Sequence, residues 1–232
     1  MTNAVAIEEL KILNKEKELI NISFSIDNST ALIGESGSGK SLTLKSLLNL
    51  LPSTLKCHKR IASNFTLDSN NVGFIPQNPF TSLSPMTKIK NQFFCSNSKK
   101  QKLLELVDLD KKLLERFPKE LSGGQLQRIV IAIALSNDIK LLLLDEPTTA
   151  LDDISKTKIL NLIENITKEL NLLMLFVTHD IESIKNICEN IVIMKEGKII
   201  EMGKTNEVLK NPTNAYTKKL INSNFKNKNF RT

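Results

Sequence analysis

The stretch Ile33-Gly34-Glu35-Ser36-Gly37-Ser38-Gly39-Lys40-Ser41 limits what this chain can fold into more than any other. It follows an apolar run, Thr30–Ile33, and precedes a run that reads as a helix, Leu42 to Leu51. A strand, the spacing G-x-x-x-x-G-K-S and a helix together specify a phosphate-binding loop. The glycines let the backbone turn tightly, so that its N–H groups can point inward at phosphate oxygens. The new helix adds the positive end of its dipole. Lys40 supplies a point charge for the β- and γ-phosphates, and Ser41 a hydroxyl for Mg²⁺.

Composition narrows the rest. The chain has 232 residues, 41% hydrophobic and 25% charged, enough for one large domain or two small ones. No apolar run approaches about eighteen residues, so no membrane-spanning helix is expected. The longest apolar runs, Leu141–Leu144 and Leu172–Val177, have strand length. The first residues carry neither a cationic start nor an apolar core, so no secretory signal is expected. Cys57, Cys95 and Cys188 are odd in number and scattered, matching neither a disulfide framework nor metal-ligand spacing. That suits a reducing cytosol. The formal charge of +7 comes from lysines spread along the chain, densest from Lys218 to Arg231. With no Trp and one Tyr, a stacking surface for bases is poorly supplied, and nucleic acid is not expected as a partner.

Taken in order, Ala6–Leu13 and Leu19–Ile26 read as an antiparallel pair around the polar Asn14–Glu18. After the helix, Pro52 ends the regular pattern, and residues Ser53–Asn71 read as irregular, with a strand near Phe65–Leu67. Val72–Ile75 is a short strand that ends at Pro76-Gln77-Asn78-Pro79, where two prolines mark an exposed turn and exclude helix. Lys99–Phe117 reads as two short helices broken near Asp108–Asp110. Ser122 is a fair N-cap, and the paired Gly123 and Gly124 allow close backbone approach ahead of a helix from Gln127 to Leu135. Leu141–Leu144 is a strand buried on both faces, ending in Asp145-Glu146-Pro147. A helix, Ile154–Leu170, and a strand, Leu172–Val177, lead to Thr178-His179-Asp180, with Asp180 as cap of a helix Ile181–Cys188. Ile191–Met194 and Lys198–Met202 form a hairpin, and Asn206–Lys210 a short helix. From about Asn222 the chain is rich in Asn and Lys and expected to fray.

Strands near residues 33, 145 and 178 each end in polar chemistry. In an open parallel α/β sheet, ligands bind outside the carboxyl ends of the strands. Lys40, Asp145, Glu146 and His179 are therefore expected to converge on one site. Asp145 is the Mg²⁺ holder, directly or through water. Glu146, one residue on, is the better candidate to polarise an attacking water. His179 is placed to contact the γ-phosphate and sense its loss.

The phosphate loop, Gln77, Leu121-Ser122-Gly123-Gly124-Gln125, Leu142–Asp152 and His179, in that order, resemble the ATP-binding cassette of ABC transporters over nearly the whole chain. The resemblance implies an α/β fold: a P-loop NTPase core with a mostly parallel sheet, an N-terminal antiparallel β subdomain and a shortened helical signature subdomain. The nucleotide-binding domain would span residues 1–222, with the helical subdomain at about 80–136 and a basic, disordered tail at 223–232. It implies ATP and Mg²⁺ as cofactors and an ATPase activity. ATP would be held by Gly34 to Ser41, Gln77 and Ser122 to Gln125, and Mg²⁺ by Ser41, Gln77 and Asp145. Glu146 and His179 would be catalytic. By the same resemblance Gln77 faces the membrane subunit, Ala150-Leu151-Asp152 crosses a dimer interface, and Ser122–Gln125 caps the ATP of a partner cassette. A glycine-rich helix N-terminus is a second anion clamp, and one chain needs only one per triphosphate, so the second can serve across an interface.

Ile75–Pro85 and Glu196–Leu220 are similar to segments of the importers of oligopeptides, dipeptides and nickel, although Asn214-Ala215 stands where those importers show His-Pro. The partners so implied are a second ABC ATPase subunit, identical or different, two integral-membrane permease subunits and, indirectly, an extracytoplasmic solute-binding protein. The location implied is peripheral, on the cytoplasmic face of the plasma membrane. Asn14–Glu18 lacks the aromatic that such cassettes stack on adenine, and no iron–sulfur site is expected. A soluble ABC-type ATPase acting on ribosomes or DNA is the competing function; the single cassette without a heptad run argues against it. Glu146 and His179 argue against a nucleotide-binding regulator without turnover.

Overall fold

The computed structural model describes residues 4–149 and 151–226, the last three by backbone alone. In chain order, β1 (Val5–Asn14), β2 (Lys17–Ile26) and β3 (Ser29–Ile33) lead to α1 (Lys40–Leu47). Then come β4 (Leu55–Ser63), β5 (Val72–Ile75), α2 (Pro79–Ser82), α3 (Asn97–Leu106), α4 (Gly123–Ala134), β6 (Leu141–Asp145) and α5 (Asp153–Glu169). The chain closes with β7 (Leu173–Thr178), α6 (Ile181–Ile184), β8 (Asn190–Lys195), β9 (Lys198–Lys204), α7 (Thr205–Lys210) and α8 (Ala215–Lys226). Short 3₁₀ turns occupy Ile89–Gln92, Lys111–Glu115 and Pro118–Glu120. The described residues form two compact units, one of residues 4–67 with 173–226, the other Asp68–Leu172.

The first unit holds two sheets. β2, β1 and β4 pair antiparallel. β7, β3 and β8 run parallel, and β9 returns antiparallel on β8. Ala31 to Ile33 and Leu173 to Thr178 are buried throughout, as strands covered on both faces require. β1 and β2 instead alternate, turning Ile20, Ile22, Phe24 and Ile26 inward.

In the second unit β5 and β6 pair parallel, with Ile75 opposite Leu144. The inward face of α4 carries Leu126, Ile129 and Val130, all buried.

The mixed α/β architecture and the N-terminal antiparallel pair agree with the sequence. Several local expectations do not. Residues 55–63, read as irregular, are the edge strand β4, whose partner is β1 (Ile12 opposite Cys57), and no strand forms at Phe65–Leu67. Only Leu55, Cys57 and Ile61 of that strand are even half-buried, so its sequence carries little apolar signal; pairing specifies it. The first helix starts at Lys40 and stops at Leu47, because Asn49 turns left-handed (φ 58°) and the Leu50 amide closes back on the Lys45 carbonyl. Pro79 does not exclude helix: it opens the single turn α2, with Asn78 as cap. At that position the missing N–H costs nothing. The helix after Asp180 ends at Ile184, short of Cys188. α8 runs through Lys226, past Asn222; residues 227–232 of the basic tail, and Ala150 of the expected interface segment, lie outside the described residues.

Candidate functional site

In the first unit the buried strand β3 delivers the chain to the phosphate loop, and α1 takes it away. Gly39 sits just before α1 with φ 110°, and a Cβ there would meet Met194 Cε at 2.8 Å. The backbone there favours glycine, while the flexible end of Met194 can give way. Lys40 is 6% exposed, and its Nζ folds over the loop, donating to the Gly34 carbonyl at 2.7 Å and the Glu35 carbonyl at 3.0 Å. The Ser38 amide donates to the Glu35 carbonyl at 3.1 Å. Glu35, Ser36 and Gly37 form the exposed crest, and Ser41 is exposed in the first helical turn.

Three features suit a phosphate. The Ser38 hydroxyl is buried with no hydrogen-bond partner among the described residues. α1 begins without a side-chain cap, leaving its first amides available. A buried lysine folds its ammonium over the same loop. An anion with several acceptor oxygens satisfies all three, so the residues present fit a nucleotide triphosphate.

His179 follows β7, the parallel neighbour of β3, and Ile33 lies opposite Thr178 in register. The phosphate loop and His179 therefore leave adjacent strands at the same carboxyl end. His179 is exposed. The turn around it is fixed by the Asp180 amide donating to Thr178 Oγ1 at 3.0 Å and by Ser183 Oγ donating to Asp180 Oδ2 at 2.6 Å.

The second unit repeats the arrangement. The register of β5 on β6 brings Gln77 and Asp145-Glu146 to one strand end. Gln77 Nε2 donates to Glu146 Oε2 at 3.3 Å, and Thr149 Oγ1 donates to the same oxygen at 3.0 Å. Glu146 takes φ 47°, a left-handed backbone uncommon for glutamate. Asp145 and Glu146 are half-buried, Gln77 exposed. Gln77 and Asp145 of this unit offer hard oxygens, and so, separately, does Ser41 of the first unit; oxygens of this kind suit Mg²⁺, which is usually held by one or two carboxylates plus phosphates and water. Among the described residues no three His, Cys, Asp or Glu cluster closely enough to hold a metal alone.

Ser122 caps α4. Its Oγ accepts from the Gln125 amide at 3.3 Å, while Gln125 Oε1 accepts from the Ser122 amide at 3.0 Å, a reciprocal capping box. A Cβ at Gly123 would meet nothing nearer than Phe80 Cζ at 4.0 Å, and one at Gly124 nothing nearer than Ser155 Oγ at 3.9 Å. Packing within the unit does not demand glycine at either position.

Two partners went unread in the sequence. Thr149 stands three residues after Glu146, a spacing at which a hydroxyl reaches back in a turn. Tyr216 accepts the Glu35 amide at 3.2 Å, and its 181-residue separation left no local signal.

Residues 18–149, from β2 through Thr149, match the family model described as ABC transporter. The chain belongs to the ABC transporter family. It is 36% identical over 219 residues to the "Peptidoglycan transport ATP-binding protein YejF" of Agrobacterium fabrum, covering 82% of this chain and 40% of that protein. It is 33% identical over 232 residues to the "Oligopeptide transport ATP-binding protein OppD" of Bacillus subtilis, covering 87% of this chain and 65% of that one. The chain thus spans less than two thirds of either relative. Among solved structures, CbiO1 from Clostridium perfringens, described as part of the ABC transporter complex CbiONQ, superposes with a TM-score of 0.78 at 26% identity, over 91% of this chain and 92% of its own. The fold is that of the ABC ATP-binding domains, an ATPase family. Among the described residues of this cassette no helix is long and apolar enough to cross a membrane.

Proposed function

We propose that the chain is the ATP-hydrolysing subunit of an ABC importer, peripheral on the cytoplasmic face of the plasma membrane, serving uptake of peptides or nickel through separate membrane subunits. The observation that carries the nucleotide reading is the buried Lys40, its ammonium folded over a loop that leads into an uncapped α1 and holds the Ser38 hydroxyl, unpartnered among the described residues. The relationship to oligopeptide transport ATP-binding proteins supports the importer reading.

In this reading the loop amides of residues 34–41 and Lys40 bind and orient the phosphates. Ser41, Asp145 and Gln77 hold Mg²⁺, which when bound neutralises charge on the phosphate oxygens. Glu146 takes a proton from the attacking water at its carboxylate. Gln77 and Thr149 keep that carboxylate turned to one position. His179 contacts the terminal phosphate. Ser122 to Gln125 present the capped N-terminus of α4 to the nucleotide of a second cassette. The room beside Gly123 and Gly124 supports that role.

The membrane partner is supported by the segment after Gln77, where Phe80, Met86 and Phe94 are 56%, 80% and 83% exposed. Three large apolar side chains exposed within one short segment of sequence suit a contact with another protein. The test is purification from membranes. Recovery with a multi-spanning membrane protein, and MgATP hydrolysis by the complex, is the expected result. Recovery with ribosomes or DNA instead contradicts the importer reading.

A further inference from the structure

We propose that Tyr216 is a positioning residue for the phosphate-site lysine, acting through a single peptide unit. The inference rests on the nucleotide reading above and extends it to a residue of α8. The Glu35 amide donates to the Tyr216 hydroxyl at 3.2 Å. The carbonyl of that same peptide unit, on Gly34, accepts from Lys40 Nζ at 2.7 Å. A peptide unit is planar and its N–H and C=O point in opposite directions. Fixing the N–H on a phenol oxygen therefore fixes the direction in which the carbonyl holds the ammonium.

The phenol is itself held. Asn214 Oδ1 accepts from the Tyr216 amide at 2.8 Å at the start of α8. Glu201 of β9 clasps the preceding loop: Oε1 accepts from the Thr213 amide at 2.7 Å and the Thr213 hydroxyl at 2.8 Å, and Oε2 from the Asn214 amide at 3.2 Å. Lys195 Nζ, at the end of β8, lies 5.1 Å from the ring centroid, within cation–π range. The turn between these strands also holds the other side of the loop, as the Gly197 amide donates to the Ser38 carbonyl at 2.9 Å. The crest is thus pinned at Glu35 by α8 and at Ser38 by the hairpin. The chemistry is specific: an amide acceptor is needed at Tyr216, which Phe lacks and Tyr supplies.

The test compares wild type, Tyr216→Phe, Glu201→Gln and the double variant by equilibrium binding of MgATP, with thermal melting alongside. Tyr216→Phe keeps the ring and its contact with Lys195, and is expected to weaken MgATP about three- to ten-fold, the range for one lost hydrogen bond. The amide exchange of Glu35 should quicken, and the ¹⁵N resonance of the Lys40 ammonium should shift; an effect on folding alone moves neither selectively. Glu201→Gln, which leaves the hydroxyl in place, should weaken binding by about two- to five-fold. It should add little in the double variant because it acts through the same phenol. It carries the test if Tyr216→Phe does not fold. MgATP affinity within two-fold of wild type in Tyr216→Phe, or in Glu201→Gln if that variant alone folds, overturns the proposal. Failure of wild type itself to bind MgATP overturns the nucleotide reading instead.

Discussion

The side-chain amide of Gln77 reaches Glu146 Oε2 at 3.3 Å across the ends of two parallel strands, and the Thr149 hydroxyl reaches the same oxygen at 3.0 Å. Two donors on one oxygen hold that carboxylate in one orientation. Glu146→Gln keeps the shape and removes the basicity. Steady-state hydrolysis should fall about 10²- to 10⁴-fold, the usual contribution of a general base. MgATP binding should stay within a few-fold of wild type, as measured by equilibrium titration. Hydrolysis at the wild-type rate would remove Glu146 from that role.

Gly197 occupies a position that no other residue fills. Its φ is 77°, and a Cβ would lie 2.0 Å from the Leu19 carbonyl oxygen. Its amide and carbonyl tie the Ser38 carbonyl and the Asn21 amide to the hairpin turn. Gly197→Ala should cost about 2 kcal/mol or more, since the backbone itself must move. Urea unfolding reads that loss, and MgATP affinity should fall with it. A midpoint equal to that of wild type would show that the turn relaxes freely.

Asp152 caps α5, its Oδ1 accepting from the Ser155 amide at 2.9 Å. That hydrogen bond, more than any other, holds its carboxyl below the usual aspartate range. The charged form is thus favoured in the folded chain. The cap's contribution is whole above the unfolded pKa and is lost as the pH falls through the lower native value. Asn caps a helix nearly as well but does not titrate. The urea midpoint of wild type relative to Asp152→Asn should therefore drop with pH in the acid range. A difference that stays constant there would contradict the assignment.

Where chemistry is local, the sequence was readable. The loop of residues 34–41 must follow a strand and open a helix, and it does. Four leucines before Asp145 left no fold but a buried strand. Ser122 was readable as the cap of α4, and the structure adds Gln125 as its reciprocal partner. β4 escaped because only Leu55, Cys57 and Ile61 of its residues are apolar and half-buried, and its pairing with β1 supplies the specification. Pro79 misled because a residue that breaks a helix in its middle is well placed at its start. The bond between Glu35 and Tyr216 joins residues 181 positions apart, a relation set by packing and invisible to any local pattern.

The central claim is that Lys40, bent over its own loop toward the Gly34 and Glu35 carbonyls, is the charge that grips a nucleotide triphosphate. Calorimetric titration of MgATP into wild type and Lys40→Ala tests it most directly. Saturable binding by wild type and its loss in Lys40→Ala is the predicted result; normal binding by Lys40→Ala would contradict the account.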